Sequence, residues 1–125
     1  MAYSGWLLPD HERNWLLEAI KPIYPDVIAH HVTLDFGKRD KLQMPPQVSA
    51  AIVGVADDGK GVQTLIVEID GSVERPTIGG TFHITWSIDK EAGFKPMDSN
   101  KAIAVYGWAP LGKPISVQLF PKIFS

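Results

Sequence analysis

Two neighbouring β-rich segments constrain the fold of this chain most strongly. Residues 48–56 (VSAAIVGVA) and 62–69 (VQTLIVEI) are apolar and rich in β-branched side chains, and the turn-forming residues DDGKG join them. Two such runs separated by a short glycine-containing loop predict a β-hairpin. The middle of the chain is therefore expected to form an antiparallel pair of strands.

The rest of the sequence adds further strands and one or two helices. Strands are predicted over residues 3–8, 27–36, 81–89, 102–108 and 114–120. A helix is predicted to begin after Pro9 with Asp10 as its N-cap, and Pro22 and Pro25 end it. Its apolar face consists of Trp15, Leu16, Ala19 and Ile20. One helical turn is predicted after Asp98. About seven strands against one or two helices predict an α+β class with mostly antiparallel sheets.

The length and composition predict one globular domain that spans residues 1–125. Hydrophobic residues make up 45% of the chain and charged residues 21%, which is typical of a folded domain of this length. The net charge of −2 gives no general attraction for polyanions. DNA is therefore not expected as a partner, and any RNA must be recognised at a local site.

The residue types also exclude several classes of site. The chain has no cysteine, which excludes disulfides, thiolate catalysis and cysteine-ligated metals. The amino-terminal residues MAYSGWLLPDHERN lack the basic start of a signal peptide, and no apolar run approaches the roughly 18 residues of a membrane span. A cytoplasmic protein without membrane association is expected.

Two copies of one short pattern carry the chemistry. The segments HHVTLDF and FHITWSI each contain histidine, an apolar residue and threonine, at His31 and Thr33 and again at His83 and Thr85. In a strand, residues i and i+2 point to the same side of the sheet. Each copy therefore presents an imidazole beside a hydroxyl. If the two strands lie close together, two imidazoles and two hydroxyls converge on one groove.

Such a site suits in-line displacement at phosphorus. One imidazole takes a proton from the attacking water and another protonates the departing ribose oxygen, and each role contributes typically 10²–10⁴-fold near neutral pH. The threonine hydroxyls donate hydrogen bonds to the non-bridging oxygens. This scheme suits a 2′,3′-cyclic ribose phosphate and requires no metal or other cofactor.

The paired motifs, each on a β-rich segment, resemble those of the two-histidine (2H) phosphoesterase superfamily, whose members have the LigT-like fold. That family includes cyclic phosphodiesterases, RNA 2′-5′ ligases and the cyclic phosphodiesterase domains of fungal and plant tRNA ligases, which are nearest in appearance. The resemblance implies a compact, bilobal α+β fold with the two motifs facing each other across a central groove.

The resemblance also implies roles for the four motif residues. His31 and His83 correspond to the catalytic pair, and Thr33 and Thr85 to the hydroxyls that bind phosphate. In hydrolytic members the second histidine is the base and the first is the acid, although the assignment depends on which ribose oxygen leaves. The implied substrate is a small cyclic nucleotide or an RNA 2′,3′-cyclic phosphate end.

Other functions remain open from the sequence. The groove could bind a nucleotide or RNA end without catalysis, or the reverse reaction could join RNA 2′-5′ ends. A metal site built from His30, His31 and His83 is a further alternative, although adjacent strand residues point in opposite directions. The two patterns could also arise by chance, because threonine is common in strands.

The remaining polar and aromatic residues are expected to be structural. By strand alternation His30 lies on the side opposite His31 and packs there, and Trp86 lies in the core. His11, Lys38 and Arg39 are expected to be solvated. Further candidate groove contacts, each with a structural role as the simpler interpretation, are Tyr24, Asp35, Phe36, Ser87, Lys95, Ser99, Asn100, Tyr106 and Trp108.

Overall fold

The computed structural model describes all 125 residues as two helices and two antiparallel sheets, which confirms the α+β class. The three-stranded sheet has the order β3-β1-β8 and the five-stranded sheet the order β2-β6-β5-β4-β7. The strands are β1 (Ala2–Leu7), β2 (Asp26–Val27), β3 (His31–Gly37), β4 (Ala50–Asp57), β5 (Val62–Ile69), β6 (His83–Ile88), β7 (Ala109–Val117) and β8 (Phe120–Phe124), and the helices are α1 (Asp10–Ala19) and α2 (Asp98–Tyr106). Neither helix has the length and hydropathy that a membrane-spanning helix needs.

The predicted hairpin is confirmed as β4 and β5, which pair from Ala50 opposite Ile69 to Asp57 opposite Gln63. The carboxylate of Asp58 closes the turn, because it accepts the backbone N–H groups of Lys60 and Val62 at 2.8 and 3.0 Å. Turns of this kind explain why aspartate and glycine mark the connection in the sequence. Strand β5 lies between β4 and β6, so both of its sides are largely buried.

Helix α1 follows the prediction except at its cap and on its apolar face. Pro9 occupies the N-cap position and Asp10 is the first helical residue. The negative charge of Asp10 there interacts favourably with the positive end of the helix dipole. Leu16 is fully buried, but Trp15 is 40% exposed, because only a narrow stripe of this helix meets the core. The helix ends where the Ile20 N–H donates to the Leu16 carbonyl.

The strand predicted over residues 102–108 is wrong, since most of that segment belongs to helix α2. The run AIAVY suits either structure by composition. It becomes helical because Ala102 packs on the face of the five-stranded sheet, against Val62 and Ile88, which already pair with each other across β5 and β6. The last two strands are displaced accordingly to β7 and β8.

The main core lies between the two sheets and α1. Trp6 of one sheet and Trp86 of the other are both buried, and their indole N–H groups donate to the carbonyls of Pro46 and Ile20 at 2.9 and 2.8 Å. Val32 and Ile84 are wholly buried, as the alternation in the two histidine segments predicts. Each of these segments therefore has one side in the core.

The strand predicted over residues 27–36 is two strands, β2 and β3, in different sheets. The N–H groups of Ile28 and Ala29 donate to β6 at Trp86 and Thr85, whereas the carbonyl of His30 accepts from Leu8 at the end of β1. Ala29 has a left-handed backbone with φ of 44°, which turns the chain from one sheet to the other. Strand β3 therefore begins directly beside β6.

Gly5 is expected to be required where β1 pairs with β3. It lies at a bulge opposite Thr33, and a Cβ atom there would be 2.0 Å from the Val32 carbonyl oxygen. Gly5→Ala should lower the free energy of unfolding by about 1–3 kcal/mol or more, measured by urea denaturation. Gly112→Ala is the matched control, because nothing lies within 4 Å of its added Cβ. Equal stabilities of the two variants would contradict the close approach.

Candidate active site

A groove of about 320 Å³ lies where β3 meets β6, and it contains all four predicted motif residues. His31 and Thr33 reach it from the three-stranded sheet, and His83 and Thr85 from the five-stranded sheet. The two copies of the motif are thus brought together from segments that are far apart in the chain. Their meeting depends on the turn at Ala29, which places β3 beside β6.

One hydrogen bond orients the ring of His83. Its Nδ1 lies 2.8 Å from the carbonyl oxygen of Thr81. A carbonyl oxygen only accepts, so Nδ1 must carry the proton and, in the neutral ring, Nε2 has a free lone pair. Nε2 of His83 makes no hydrogen bond within the protein. The arrangement leaves one nitrogen able to accept a proton.

The prediction that His30 and His31 lie on opposite sides is wrong. Both rings line the groove, and their Nδ1 atoms are 2.9 Å apart in a direct hydrogen bond. Strand alternation does not extend to His30, because β3 begins only at His31 and Ala29 has left-handed backbone geometry. The rings meet at an interplanar angle of 82° with centroids 5.1 Å apart.

The three groove histidines favour their neutral forms. Burial lowers the pKa of His31 to about 4, with smaller contributions from His30 and His83. Burial also lowers the pKa of His83, and the nearby charge of Arg75 adds to this effect, although the bond to Thr81 opposes it. His30 is the more exposed ring, and its partial desolvation lowers the pKa as well, followed by the charges of Lys122 and Arg13.

The two threonines differ in what their hydroxyls can do. Thr33 makes no side-chain hydrogen bond within the protein, so its hydroxyl is free to bind a ligand. Thr85 donates to the carbonyl of Pro96 at 3.1 Å and lies 2.8 Å from the hydroxyl of Ser99. Its hydroxyl therefore ties β6 to the start of α2. A ligand would have to compete for that proton.

Arg75 is a groove residue that sequence reasoning missed. Its Nε donates to the Gly79 carbonyl at 2.7 Å and Nη2 donates to Oδ1 of Asn100 at 3.0 Å. A Cβ atom at Gly80 would lie 2.7 Å from Nη2, so glycine makes room for the guanidinium. Burial lowers the pKa of Arg75, and no carboxylate pairs with it, since the one salt bridge of the chain joins Lys21 and Glu18. The only sequence signal was an arginine in a glycine-rich loop before the second motif.

No acidic side chain lines the groove. Its one full charge is the Arg75 guanidinium, which is already oriented by two hydrogen bonds. No set of three histidine or carboxylate side chains is arranged to hold a metal ion. The groove is therefore suited chemically to an anion, with imidazoles and a free hydroxyl beside the cation.

Few of the other candidate residues reach the groove. Asn100 and Phe36 line it, and so does Tyr3, which was not predicted. Ser99 lies behind Thr85 rather than in the groove. Residues that lie elsewhere are His11, Tyr24, Asp35, Lys38, Arg39, Ser87, Lys95, Tyr106 and Trp108. Trp86 is wholly buried, as predicted.

The lowered pKa of His31 predicts a pH-dependent stability. The unfolded chain binds the proton near pH 6.5 and the folded chain only near pH 4, so stability falls as the pH drops through this interval. The loss from His31 alone should be on the order of 3 kcal/mol. Urea unfolding of the wild type and His31→Asn at several pH values measures it. The variant should lose less stability on acidification, and an identical pH dependence would contradict the shifted pKa.

Comparison of the chain with models of known families, with curated proteins and with solved structures finds no significant match. Any functional conclusion must therefore come from the groove and from the paired motifs.

Proposed function

We propose that this protein is a cytoplasmic, metal-independent phosphoesterase that hydrolyses 2′,3′-cyclic phosphates of RNA ends or small nucleotides. One observation carries the proposal: two H-x-T motifs from different sheets open onto one groove that also holds an unpaired guanidinium. The resemblance of the motifs to those of two-histidine phosphoesterases supports the same activity and a LigT-like fold. The absence of cysteine suits a reducing compartment.

The hydrogen bond to Thr81 supports His83 as the base. Nε2 of the neutral ring takes a proton from water while the water oxygen attacks phosphorus. The bond from phosphorus to one ribose oxygen breaks on the opposite side, and His31 gives that oxygen a proton. Arg75 and the free hydroxyl of Thr33 hold the non-bridging oxygens, where charge accumulates.

One observation favours a second candidate, a module that binds nucleotide or RNA ends without catalysis. With a pKa of about 4, His31 carries no charge over most of the neutral range, whereas an imidazolium is the usual form of a histidine acid. The two candidates differ in turnover, because a binding module would retain a cyclic phosphate unchanged.

His31→Ala and His83→Ala should each reduce kcat on nucleoside 2′,3′-cyclic phosphates by roughly 10²–10⁴-fold, because each removes one proton-transfer group. Assays with all four nucleosides in the presence of a chelator, followed by phosphorus NMR, give the base preference and the position of the product phosphate. His11→Ala in α1 is the matched control and should retain full activity. Unchanged turnover in both groove variants would reject the proposed chemistry, and saturable binding without turnover by the wild type would favour the binding module.

Arg75→Gln should weaken binding of a nucleoside 2′-monophosphate by roughly 10–100-fold, because a charge-assisted hydrogen bond contributes about 1.5–3 kcal/mol. Calorimetry on the wild type and the variant measures this effect. Arg39→Gln removes the same charge beyond the far end of β3 and is the control. Equal weakening in both variants would indicate a general charge effect instead of a site.

A further inference from the structure

The direct contact between the two imidazoles of His30 and His31 has no counterpart at His83, whose Nδ1 is bonded to a backbone carbonyl. A carbonyl fixes one tautomer because it only accepts. An imidazole nitrogen can donate or accept, so the bond between His30 and His31 permits two arrangements of the proton. In one of them His30 donates from Nδ1, and the proton of His31 is then on Nε2.

The surroundings of the two rings differ in a way that matters for charge. His30 is exposed to water, whereas His31 is partly covered by the rings of Tyr3 and Phe124, at centroid distances of 5.0 and 5.1 Å. A positive charge is therefore more easily held on His30, where water solvates it. No carboxylate stabilises a charge on either ring within the groove.

We infer that His30 is a positioning residue that supplies the proton His31 delivers, so that the acid of the reaction is a hydrogen-bonded pair of imidazoles. This inference rests on the proposed function. It explains how a buried ring without a charge of its own can still protonate a departing oxygen. The positive charge stays on the exposed ring of His30 until His31 protonates the departing oxygen.

Each proton that moves in this scheme has a donor and an acceptor among the three histidines, the water and the ribose oxygen. In the loaded state His30 carries protons on Nδ1 and Nε2, and His31 carries one on Nε2. As the bond from phosphorus to the ribose oxygen breaks, Nε2 of His31 gives its proton to that oxygen and the Nδ1 proton of His30 moves to Nδ1 of His31. Both rings end neutral, and the proton of the attacking water has passed to His83. Uptake of one solvent proton at Nε2 of His31, with return of the Nδ1 proton to His30, and release of the water-derived proton from Nε2 of His83 to solvent restore the loaded state.

Charged or titratable groups on several neighbouring elements surround this pair, and Tyr3 of β1, whose pKa burial raises, packs on His31 without a charge. Arg13 of α1 and Lys122 of β8 disfavour the charge on His30, and His83 of β6 disfavours it on His31. Arg75 lines the same groove. The charges of Arg13 and Lys122 oppose protonation of His30, whereas the negative charge of a bound phosphodiester favours it. Desolvation lowers the pKa of the more exposed His30 less than that of His31, so a pair that takes up its proton at His30 is protonated at a higher pH than His31 alone.

His30→Asn separates a relay from simple orientation. An asparagine amide can keep a hydrogen bond to Nδ1 of His31 but cannot carry the extra proton, whereas His30→Ala loses both functions. With a nucleoside 2′,3′-cyclic phosphate as substrate, His30→Asn should reduce kcat at neutral pH by at least roughly tenfold with little change in KM. The alkaline limb of its kcat profile should move to lower pH. His11→Asn is the matched control and should behave as the wild type.

If His30→Asn restores the wild-type kcat and pH profile while His30→Ala does not, His30 only orients His31 and the inference is wrong. If the wild type hydrolyses no cyclic phosphate, the proposed function itself fails, which is a different outcome. Nitrogen-15 NMR of the histidine rings then examines the pair without turnover. Coupled titration of the two Nδ1 signals, altered for His31 by His30→Asn, would support proton sharing, and independent titration would contradict it.

Discussion

The backbone at Ala29 is the constraint on which the groove depends. The N–H groups up to this residue bond to β6, and the next carbonyl bonds to the end of β1, so the chain changes sheets within two residues. A left-handed conformation at alanine costs roughly 1–2 kcal/mol. Complete burial of Ala29 and a 2.9 Å hydrogen bond from Arg13 to its carbonyl offset that cost. This turn places His30 and His31 at the junction of the two sheets.

Burial of the imidazoles then determines the electrostatics of the site. Neutral rings are favoured, so the one strong positive charge in the groove is that of Arg75, which the loop of residues 75–80 and Asn100 hold in place. The hydrogen-bond partners make the two halves of the groove unequal. On one side, the tautomer of His83 is fixed by a carbonyl, and the hydroxyl of Thr85 is already hydrogen-bonded within the protein. On the other side, His31 is bonded to an imidazole nitrogen that can donate or accept, and the hydroxyl of Thr33 is free.

Local sequence patterns correctly predicted those elements in which the local preference for strand or helix is also the one that packs well in the fold. The hairpin of β4 and β5, the burial of Val32, Ile84 and Trp86, and the α+β class all follow from alternation and turn chemistry. The patterns failed where packing decided between two possible structures. Residues 102–106 are apolar enough for a strand, but they form part of a helix. A strand there would need an unpaired neighbouring strand, whereas Ala102 packs on the face of strands that are already paired.

The sequence by itself determined which side chains of each H-x-T segment share a side, because a two-residue repeat in an extended chain leaves no other arrangement. It could not determine that the two segments belong to different sheets, that His30 turns into the groove, or that Arg75 arrives from a distant loop. Those facts depend on a left-handed residue and on contacts between segments far apart in the chain. Such contacts have no local signature, so only the tertiary structure decided them.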